Sequence, residues 1–219
     1  DDKLLNAFKN IKILLVGVGG VGGYALECLV RSGFLNITII DHDVVDLSNL
    51  NRQIISLHSN IGLKKVDIAK KRALDINPDA NINIIDDFLL PDNIDNLLRE
   101  KYDYIIDACD TITAKVELIK YASVHNIKLI TSMGTGNRFD STKLTITKLS
   151  KTSNDPLAKN LRRILKEKNI RVNPSVVWSS ELPIKNHNRT PGSIILVPMQ
   201  AGNLCASFII SDIKKELFK

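Results

Sequence analysis

Cysteine is scarce in the sequence. Three thiols, Cys28, Cys109 and Cys205, stand far apart in 219 residues, and no CxxC pair occurs. Structural zinc sites and disulfide frameworks both need closely spaced or paired cysteines, so the sequence argues against either. Unpaired thiols are typical of a reducing compartment. We therefore expect a cytoplasmic protein, with an organelle left open.

Long apolar runs and repeats are absent as well. No stretch of 18 uninterrupted apolar residues occurs, which predicts no membrane insertion. The apolar fraction of 44% is enough to bury one sizeable core, so we expect a single domain over residues 1–219. The net charge of +6 raises the odds of a polyanionic partner, although moderately basic enzymes are common.

Strands and helices alternate through residue 133. Apolar runs at "IKILLVG", "NITIID", "ANINIID", "YDYIIDA" and "IKLITSM" are typical of buried strands, and segments with helical patterns, among them "PDNIDNLLRE", separate them. Such alternation predicts right-handed crossovers and a parallel sheet covered on both faces. The predicted class is α/β, with a nucleotide-binding part over residues 10–135.

Residues 136–219 have a different pattern. "KLTITKL", "SVVWSS" and "SIILVP" predict further strands, and "DPLAKNLRRILKEK" predicts a helix with Asp155 as N-cap and Pro156 at its first position. A last helix over residues 201–217 is apolar on most sides, so it is buried on its own sheet or against a second subunit. We expect this part to bind substrate and to form a homodimer.

The first strand runs into a glycine-rich turn, "LLVGVGGVGGY", which contains Gly17, Gly19 and Gly20. Backbone N–H groups of such a turn, and of the helix that follows, can face phosphate directly. Asp41, at the end of the next strand, suits a ribose hydroxyl. A glycine turn with a downstream acid is mostly a dehydrogenase signal, so this pattern alone slightly favours NAD over ATP.

The next stretches favour ATP instead. "DHDVVDLSNLNRQ" places Asn49, Arg52 and Gln53 just beyond the ribose acid, and "GLKKVDIA" puts Lys65 at a helix start, where a cation calls for an anionic partner. Asp110, in "DACDT", follows a parallel strand at the sheet edge where ligands bind, and a carboxylate beside phosphates suits Mg²⁺. Together these residues predict an ATP site arranged for attack at the α-phosphate.

Neighbouring residues of the same types have simpler interpretations. We expect Lys64 to be exposed and Asp107 to orient the loop that follows its strand. Cys109 is expected to be a small buried residue rather than a nucleophile. The alternative for Asp41 is a turn aspartate that only caps the backbone.

The motifs "GVGGVG", "DHDVVDLSNLNRQ", "GLKKVDIA" and "DACDT" resemble the adenylating domain of ubiquitin-activating enzymes and of their bacterial relatives in molybdopterin and thiamine synthesis. The resemblance implies a Rossmann-like adenylating fold, in which the parallel sheet continues into antiparallel strands and a C-terminal helix. It also implies a role for each matching residue: phosphate contact for Gly20, Arg52 and Lys65, support from Asn49 and Gln53, ribose binding for Asp41, and metal binding for Asp110.

The second half of the chain narrows the resemblance. "SMGTGNRFD", "DPLAKNLRRILKEKNI" and "PGSIILVPMQAG" resemble the tRNA threonylcarbamoyladenosine dehydratase branch. Members of that branch use ATP to cyclise the threonylcarbamoyl group on adenosine 37 of certain tRNAs. The resemblance implies ATP, Mg²⁺ and such a tRNA as ligands, makes Arg52, Lys65 and Asp110 catalytic, and allows a sulfur-transfer protein as a partner.

Two other functions stay open at this point. Adenylation of the C-terminus of a ubiquitin-like or sulfur-carrier protein is disfavoured, because the paired zinc motifs of those relatives are missing and residues 111–204 contain no cysteine for a thioester. A non-catalytic nucleotide-binding scaffold in a tRNA-modification or sulfur-transfer complex is disfavoured by the intact Arg52, Lys65 and Asp110.

A basic helix gives a further expectation. Lys159, Arg162, Arg163 and Lys166 lie opposite its apolar face, and more basic residues flank it. The simplest interpretation is a solvated surface. Because a cluster of cations can contact nucleic-acid phosphates, we also predict that these four residues bind tRNA.

Overall fold

The computed structural model describes residues 2–184 and 192–219, and the strands in them form one seven-stranded sheet. The strands are β1 (Lys12–Val16), β2 (Asn36–Ile40), β3 (Asn81–Ile85), β4 (Tyr104–Asp107), β5 (Lys128–Ser132), β6 (Leu144–Lys148) and β7 (Ser175–Ser179). Their order is β3-β2-β1-β4-β5-β7-β6. All neighbours are parallel except β6 and β7, so the expected α/β fold with a mixed sheet is confirmed.

The helices cover both faces of this sheet. They are α1 (Asp2–Asn10), α2 (Gly22–Arg31), α3 (Lys65–Ile76), α4 (Ile94–Leu97), α5 (Ile112–Val124), α6 (Pro156–Glu167) and α7 (Leu196–Leu217). One large apolar core lies under α2, α3 and α7, and smaller ones lie under α5 and between α5 and α6. Burial on both faces explains why the strands are almost uninterrupted apolar runs.

The parallel strands end together at one edge of the sheet. In the register of β1 with its two neighbours, Val16 pairs with Ile40 of β2 and with Asp107 of β4. From β1 the chain builds β2 and β3 on one side and then crosses to β4 on the other side. This reversal of strand order makes the edge the crevice where open α/β sheets bind ligands. The glycine turn and the residues predicted to bind ATP follow these strand ends.

The predicted strand "SIILVP" is wrong, because this segment leads into α7, which starts at Leu196. Its β-branched residues are typical of strands. Pro198, however, lies in the first turn of the helix, where the first N–H groups have no intrahelical acceptor and proline is tolerated. The helix is therefore five residues longer at its start than its expected first residue, Ala201.

The helix predicted from Pro91 is shorter than expected. The side chain of Asn93 donates to the Phe88 carbonyl and accepts from the Leu90 N–H, which builds a turn, and only Ile94–Leu97 is helical. Local side-chain bonds of this kind compete with the helix.

α7 packs inside the fold. It lies against α2 so closely that a Cβ added at Gly202 would be 2.3 Å from the Val21 carbonyl oxygen, and its Cys205, Ile209 and Ile213 are buried. By length and composition it could cross a membrane, and 44% of that apolar window is buried within the protein. Burial on its own sheet accounts for its apolar residues, so α7 no longer argues for a homodimer.

Candidate nucleotide-binding site

A cavity of about 320 Å³ opens at the carboxyl ends of β1, β2 and β4. Ligand pockets generally start at about this size. Its lining includes every residue that the sequence predicts for the nucleotide and its metal: Gly17, Gly19, Gly20, Asp41, Asn49, Arg52, Gln53, Lys65 and Asp110. The predicted residues come from segments almost a hundred positions apart, and the structure brings them to one place.

The glycine turn is tight because its backbone passes very close to β4. Gly17 has φ +86°, and a Cβ added there would lie 2.9 Å from the carbonyl oxygen of Ala108. Its own N–H donates to the Ile40 carbonyl at 2.8 Å, which fixes the turn to the end of β2. α2 starts five residues later, at Gly22, so the start of this helix follows directly on the turn.

Asp41 braces this turn as well as lining the cavity. One carboxylate oxygen accepts the Val18 N–H at 2.8 Å, and the other accepts the Asp43 N–H at 2.9 Å. The turn-aspartate interpretation is therefore right as far as it goes. Each oxygen has a second lone pair for a further donor, so bracing the turn leaves Asp41 able to accept a ribose hydroxyl.

Arg52 and its neighbours follow a single 3-10 turn, Leu47–Asn49. Asn49 is buried, and its side-chain oxygen accepts the Asp46 N–H at 3.1 Å, which closes the turn. The Arg52 guanidinium donates to the Ser48 carbonyl at 2.7 Å, which leaves most of its five N–H groups for a ligand.

Gln53 places a buried hydrogen-bonding atom in the cavity wall. Its side-chain oxygen is buried and has no hydrogen-bond partner among the described residues. Buried polar atoms are nearly always paired. An amide oxygen accepts hydrogen bonds, so a donor of a bound ligand can pair with it. A polar ligand in this cavity would satisfy it.

Lys65, at the start of α3, is buried with its charge compensated. Its side chain is 6% exposed, and its Nζ donates to Asp43 at 2.7 Å. Asp43 is half exposed at the mouth of the cavity and was missed by the sequence interpretation, although it lies in the quoted "DHDVVD" motif. Lys64, as expected, is exposed, and it pairs with Asp86.

The other wall of the cavity is apolar. Val16, Ile40, Phe88, Leu89 and Ala114 line it. The rings of Phe88 and His42 meet edge-on, with their centroids 4.5 Å apart. A cavity with one apolar wall and one wall of cations and glycine N–H groups suits a ligand with a flat base at one end and phosphates at the other.

Asp110 and Asp107 differ sharply although they belong to one motif. Asp110 is exposed at the rim of the cavity, where its carboxylate can take a cation. Asp107 is completely buried at the end of β4, and Lys115 of α5, also completely buried, lies 3.1 Å from both of its oxygens. Burial alone would lower the pKa of Lys115, but the Asp107 carboxylate outweighs it, so the pKa is raised.

Asp107 orients the loop, as predicted. Its buried partner, Lys115, was not identified from the sequence. The Asp107 carboxylate also accepts from the Cys109 N–H at 3.3 Å, one residue before Asp110. Lys115 further contacts the Thr131 hydroxyl and the Ser132 carbonyl. A single lysine in a helix gives no sequence signal for such a position.

A second buried cation, Arg138, organises the loop after β5. Its guanidinium contacts the carbonyls of Gly134 and Asn154 and the Asp155 carboxylate, and the Gly134 N–H also donates to Asp155 at 3.1 Å. Thr135, next in this loop, lines the nucleotide cavity. The sequence interpretation identified Asp155 only as the N-cap of α6, a role that its bond from Ala158 N–H confirms.

Comparison with known proteins places this site in a family. The chain matches the ThiF family over residues 1–189. It belongs to the ThiF family. A tRNA threonylcarbamoyladenosine dehydratase of Bacillus subtilis (strain 168) is 35% identical to it, over 97% of this chain and 91% of the relative.

Two solved structures extend this likeness to the whole ThiF chain. The Escherichia coli tRNA N6-threonylcarbamoyladenosine dehydratase in complex with AMP matches with a TM-score of 0.94 at 34% identity, covering 99% of this chain and 91% of that one. The same enzyme in complex with ATP matches with a TM-score of 0.93 at 35% identity, covering 99% and 90%. The expected Rossmann-like adenylating fold is confirmed.

None of the three thiols of this ThiF protein is set up as a nucleophile. Burial, and then the Asp107 carboxylate, hold the pKa of Cys109 well above its usual value. Burial raises the pKa of Cys205 to about 12 and also raises that of Cys28. A nucleophilic cysteine needs a thiolate, which a raised pKa disfavours.

The four basic residues predicted to bind tRNA do not share one environment. Lys159 and Lys166 are exposed on α6. Arg162 turns back onto the carbonyls of Leu149 and Thr152, at 3.2 Å each, and Arg163 pairs with Glu167 at 2.7 Å. All four lie outside the nucleotide cavity.

Proposed function

We propose that this protein uses ATP to dehydrate and cyclise the threonylcarbamoyl group of a modified adenosine in tRNA. The proposal is carried by one observation, the single cavity that gathers the glycine turn, Asp41, Arg52, Lys65 and Asp110. The tRNA threonylcarbamoyladenosine dehydratases to which the chain is similar over nearly its whole length support the same substrate.

The two walls of the cavity suit the two ends of ATP. The apolar wall with Phe88 and Leu89 takes the base, Asp41 the ribose, and the glycine turn with Arg52 and Lys65 the phosphates. Phosphate oxygens would replace Asp43 as the partner of Lys65. Asp110 would hold Mg²⁺, which would neutralise charge on the phosphates.

The first step is then in-line attack at the α-phosphate. A threonyl carboxylate oxygen bonds to phosphorus while the bond to pyrophosphate breaks, which leaves an acyl-adenylate. Arg52 and Lys65 stabilise the negative charge that develops on the phosphate oxygens, and the bond from Arg52 to the Ser48 carbonyl holds its guanidinium in place beforehand.

The second step uses a group of the substrate itself. A nitrogen or oxygen of the carbamoyl group bonds to the activated carbonyl carbon, and the bond from that carbon to the AMP oxygen breaks. A proton leaves the attacking nitrogen or, for attack by oxygen, the adjacent nitrogen, so water is removed overall at the cost of ATP. The reacting groups are tethered to one nucleoside, and proximity alone can supply a large rate enhancement. This route needs no enzyme thiolate, in keeping with the raised pKa values of all three cysteines.

The test is single-turnover incubation of the protein with ATP, Mg²⁺ and tRNA that carries threonylcarbamoyladenosine. We expect one AMP for each cyclised nucleoside detected by mass spectrometry, and no activity with NAD in place of ATP. AMP release that depends on a ubiquitin-like or sulfur-carrier protein and not on tRNA would refute the proposal. Nucleotide binding with no turnover of either substrate would instead indicate a scaffold.

Two further partners complete the proposal, a second copy of the chain and a sulfur-transfer protein. The homodimer is now supported by exposed apolar residues around the loops between β2 and α3, namely Leu47, Leu57, Ile61 and Leu63. Exposed apolar groups of this kind often mark protein contacts. The sulfur-transfer partner rests on the resemblance alone. A cytoplasmic location agrees with three free cysteines and a tRNA substrate.

A further inference from the structure

The positive charge of the chain is concentrated in one short region. Residues 141–173 contain nine Lys or Arg and two Asp or Glu, a net charge of +7. The other 186 residues contain 21 basic and 22 acidic residues, a net charge of −1. The whole excess of positive charge, +6, therefore belongs to β6, the turn after it, α6 and the segment that leads to β7.

These elements form one body. The Ser150 N–H donates to the side chain of Asn173 at 3.0 Å, and Asn173 donates back to the Ser150 hydroxyl, also at 3.0 Å. Between the turn, the end of α6 and residues 169–173 lies a groove of about 460 Å³ with Arg162, Lys166 and Arg171 in its lining. The charge is thus collected on one surface.

Only part of this charge is free to meet a partner. Arg162 is held by backbone carbonyls, Arg163 by Glu167, and Lys168 by Glu117 at 3.2 Å. In contrast, six are exposed and form no ion pair with an acidic group of residues 2–184 or 192–219: Lys143, Lys148, Lys151, Lys159, Lys166 and Arg171. Lys143 and Lys148 lie at the two ends of β6 and do not line the groove, and Lys148 donates to the Ser175 hydroxyl. The other four lie on α6 or beside the groove, and two of them, Lys159 and Lys166, are among the four that the helix pattern predicts.

Lys151, Lys159, Lys166 and Arg171 are close to one another through α6 and the groove. Lys159 and Lys166 are two turns apart on α6 and share its face, about 10 Å apart along the axis. Lys166 and Arg171 line the groove, and Lys151 directly follows Ser150, which lines it too. The groove adds amide and hydroxyl groups at Ser150, Asn169 and Asn173, which are the kinds of side chain that contact phosphate and sugar.

α6 connects this surface to the nucleotide cavity. Its N-cap, Asp155, accepts from the Gly134 N–H, and Thr135 lines the cavity. The helix has 12 residues, so the groove at its far end lies roughly 18 Å from that loop. A nucleic-acid arm whose modified base enters the cavity could therefore run its backbone along α6.

We propose that Lys151, Lys159, Lys166 and Arg171 form the binding surface for the phosphodiester backbone of the RNA substrate. The inference rests on the proposed function for the identity of that RNA. Arg162 has a separate role, in which it holds the turn after β6 against α6. Arg163 and Lys168, already paired with carboxylates, contribute little.

The test is the salt dependence of tRNA binding. The variant Lys151→Ala/Lys166→Ala/Arg171→Ala removes three exposed cations, and the control Lys9→Ala/Lys101→Ala/Lys215→Ala removes three exposed lysines from other elements. Fluorescence anisotropy with tRNA over a KCl series gives the slope of log K against log salt. Each lost phosphate contact lowers that slope by about 0.7–0.9, so we expect a fall of about two to three, with at least tenfold weaker binding near physiological salt.

Turnover gives an independent readout. The surface variant should raise KM for the modified tRNA and leave kcat and ATP affinity unchanged, as expected when only ground-state binding is lost, and the control should match wild type. Equal salt slopes for variant and control in a protein that modifies tRNA would overturn the inference. So would loss of binding to a sulfur-transfer protein with tRNA binding intact. If the wild-type protein does not cyclise the modified nucleoside, the proposed function itself is wrong, and this result is distinct from the two above.

Discussion

The buried pair Lys115–Asp107 allows a prediction with a magnitude. Both side chains are completely buried, and Lys115 Nζ lies within 3.1 Å of both Asp107 oxygens. Lys115→Met keeps the length of the side chain but leaves Asp107 as an uncompensated buried charge. Breaking a buried pair in this way costs about 3–5 kcal/mol of unfolding free energy, which is a large part of the usual ~5–15 kcal/mol.

Urea unfolding followed by circular dichroism measures this loss. With m-values of ~1–3 kcal/mol/M, rising with size, the midpoint should fall by about 1 M or more. Arg163→Ala, which breaks the exposed pair with Glu167, is the matched control and should leave the midpoint almost unchanged. Because the folded-state pKa of Lys115 is raised, its contribution is complete below the unfolded value of roughly 10.4 and is lost only as the pH rises through the folded value. Titration of Lys115 itself should therefore change the loss little between about pH 6 and about pH 9.

The double variant Lys115→Met/Asp107→Asn identifies the cause. If the loss comes from the unpaired carboxylate, neutralising Asp107 should recover a substantial part of it, although the bonds to Lys115 stay missing. A Lys115→Met protein as stable as wild type would refute the reasoning. So would a double variant that is less stable than either single variant, since the damage would then come from packing.

The remaining predictions concern the site and its assembly. Arg52→Ala removes a charge-assisted phosphate contact worth ~1.5–3 kcal/mol, so kcat/KM in the AMP-release assay should fall at least tenfold, and a smaller loss would remove Arg52 from the catalytic set. Single replacements of Cys28, Cys109 or Cys205 by Ser should leave turnover of modified tRNA largely intact, whereas a thioester trapped on wild-type protein would contradict this. Asp110→Asn should raise the Mg²⁺ concentration needed for half-maximal turnover, and an unchanged Mg²⁺ titration would exclude it as a metal ligand. Light scattering should give a dimer mass that Leu57→Asp/Ile61→Asp reduces to the monomer, and a wild-type monomer at all concentrations would refute the dimer.

The residues that line the candidate nucleotide site were predictable because each follows a pattern that can be recognised in its own segment. Gly17, Asp41 and Asp110 each follow a strand that an unbroken apolar run identifies, and parallel strands bring their carboxyl ends to one edge. Polar residues just after such runs therefore meet. The helix pattern placed Lys65 at a helix start, and the structure confirms this position; its burial was not predicted.

The buried cations were not predictable because their partners come from other parts of the chain. Lys115 and Arg138 lie in segments whose patterns suit solvent-facing residues, and only the tertiary fold supplies the acceptors that let them be buried. The strand prediction for the segment before α7 was wrong because "SIILVP" contains the β-branched residues that are typical of strands. Contact with α2, which no local pattern encodes, makes it the approach to a helix.

The dual contact of Asp155 has a thermodynamic consequence. One of its oxygens accepts the Ala158 N–H inside the first turn of α6, at 2.9 Å, and the other accepts the Gly134 N–H. If α6 shifts when RNA binds to it, the same carboxylate that positions the loop carrying Thr135 therefore moves as well. Occupancy at the two ends of this connection should be linked: whatever factor RNA applies to the affinity for ATP, ATP must apply to the affinity for RNA. If this factor is greater than one, the enzyme holds its nucleotide most tightly when the substrate to be activated is already in place.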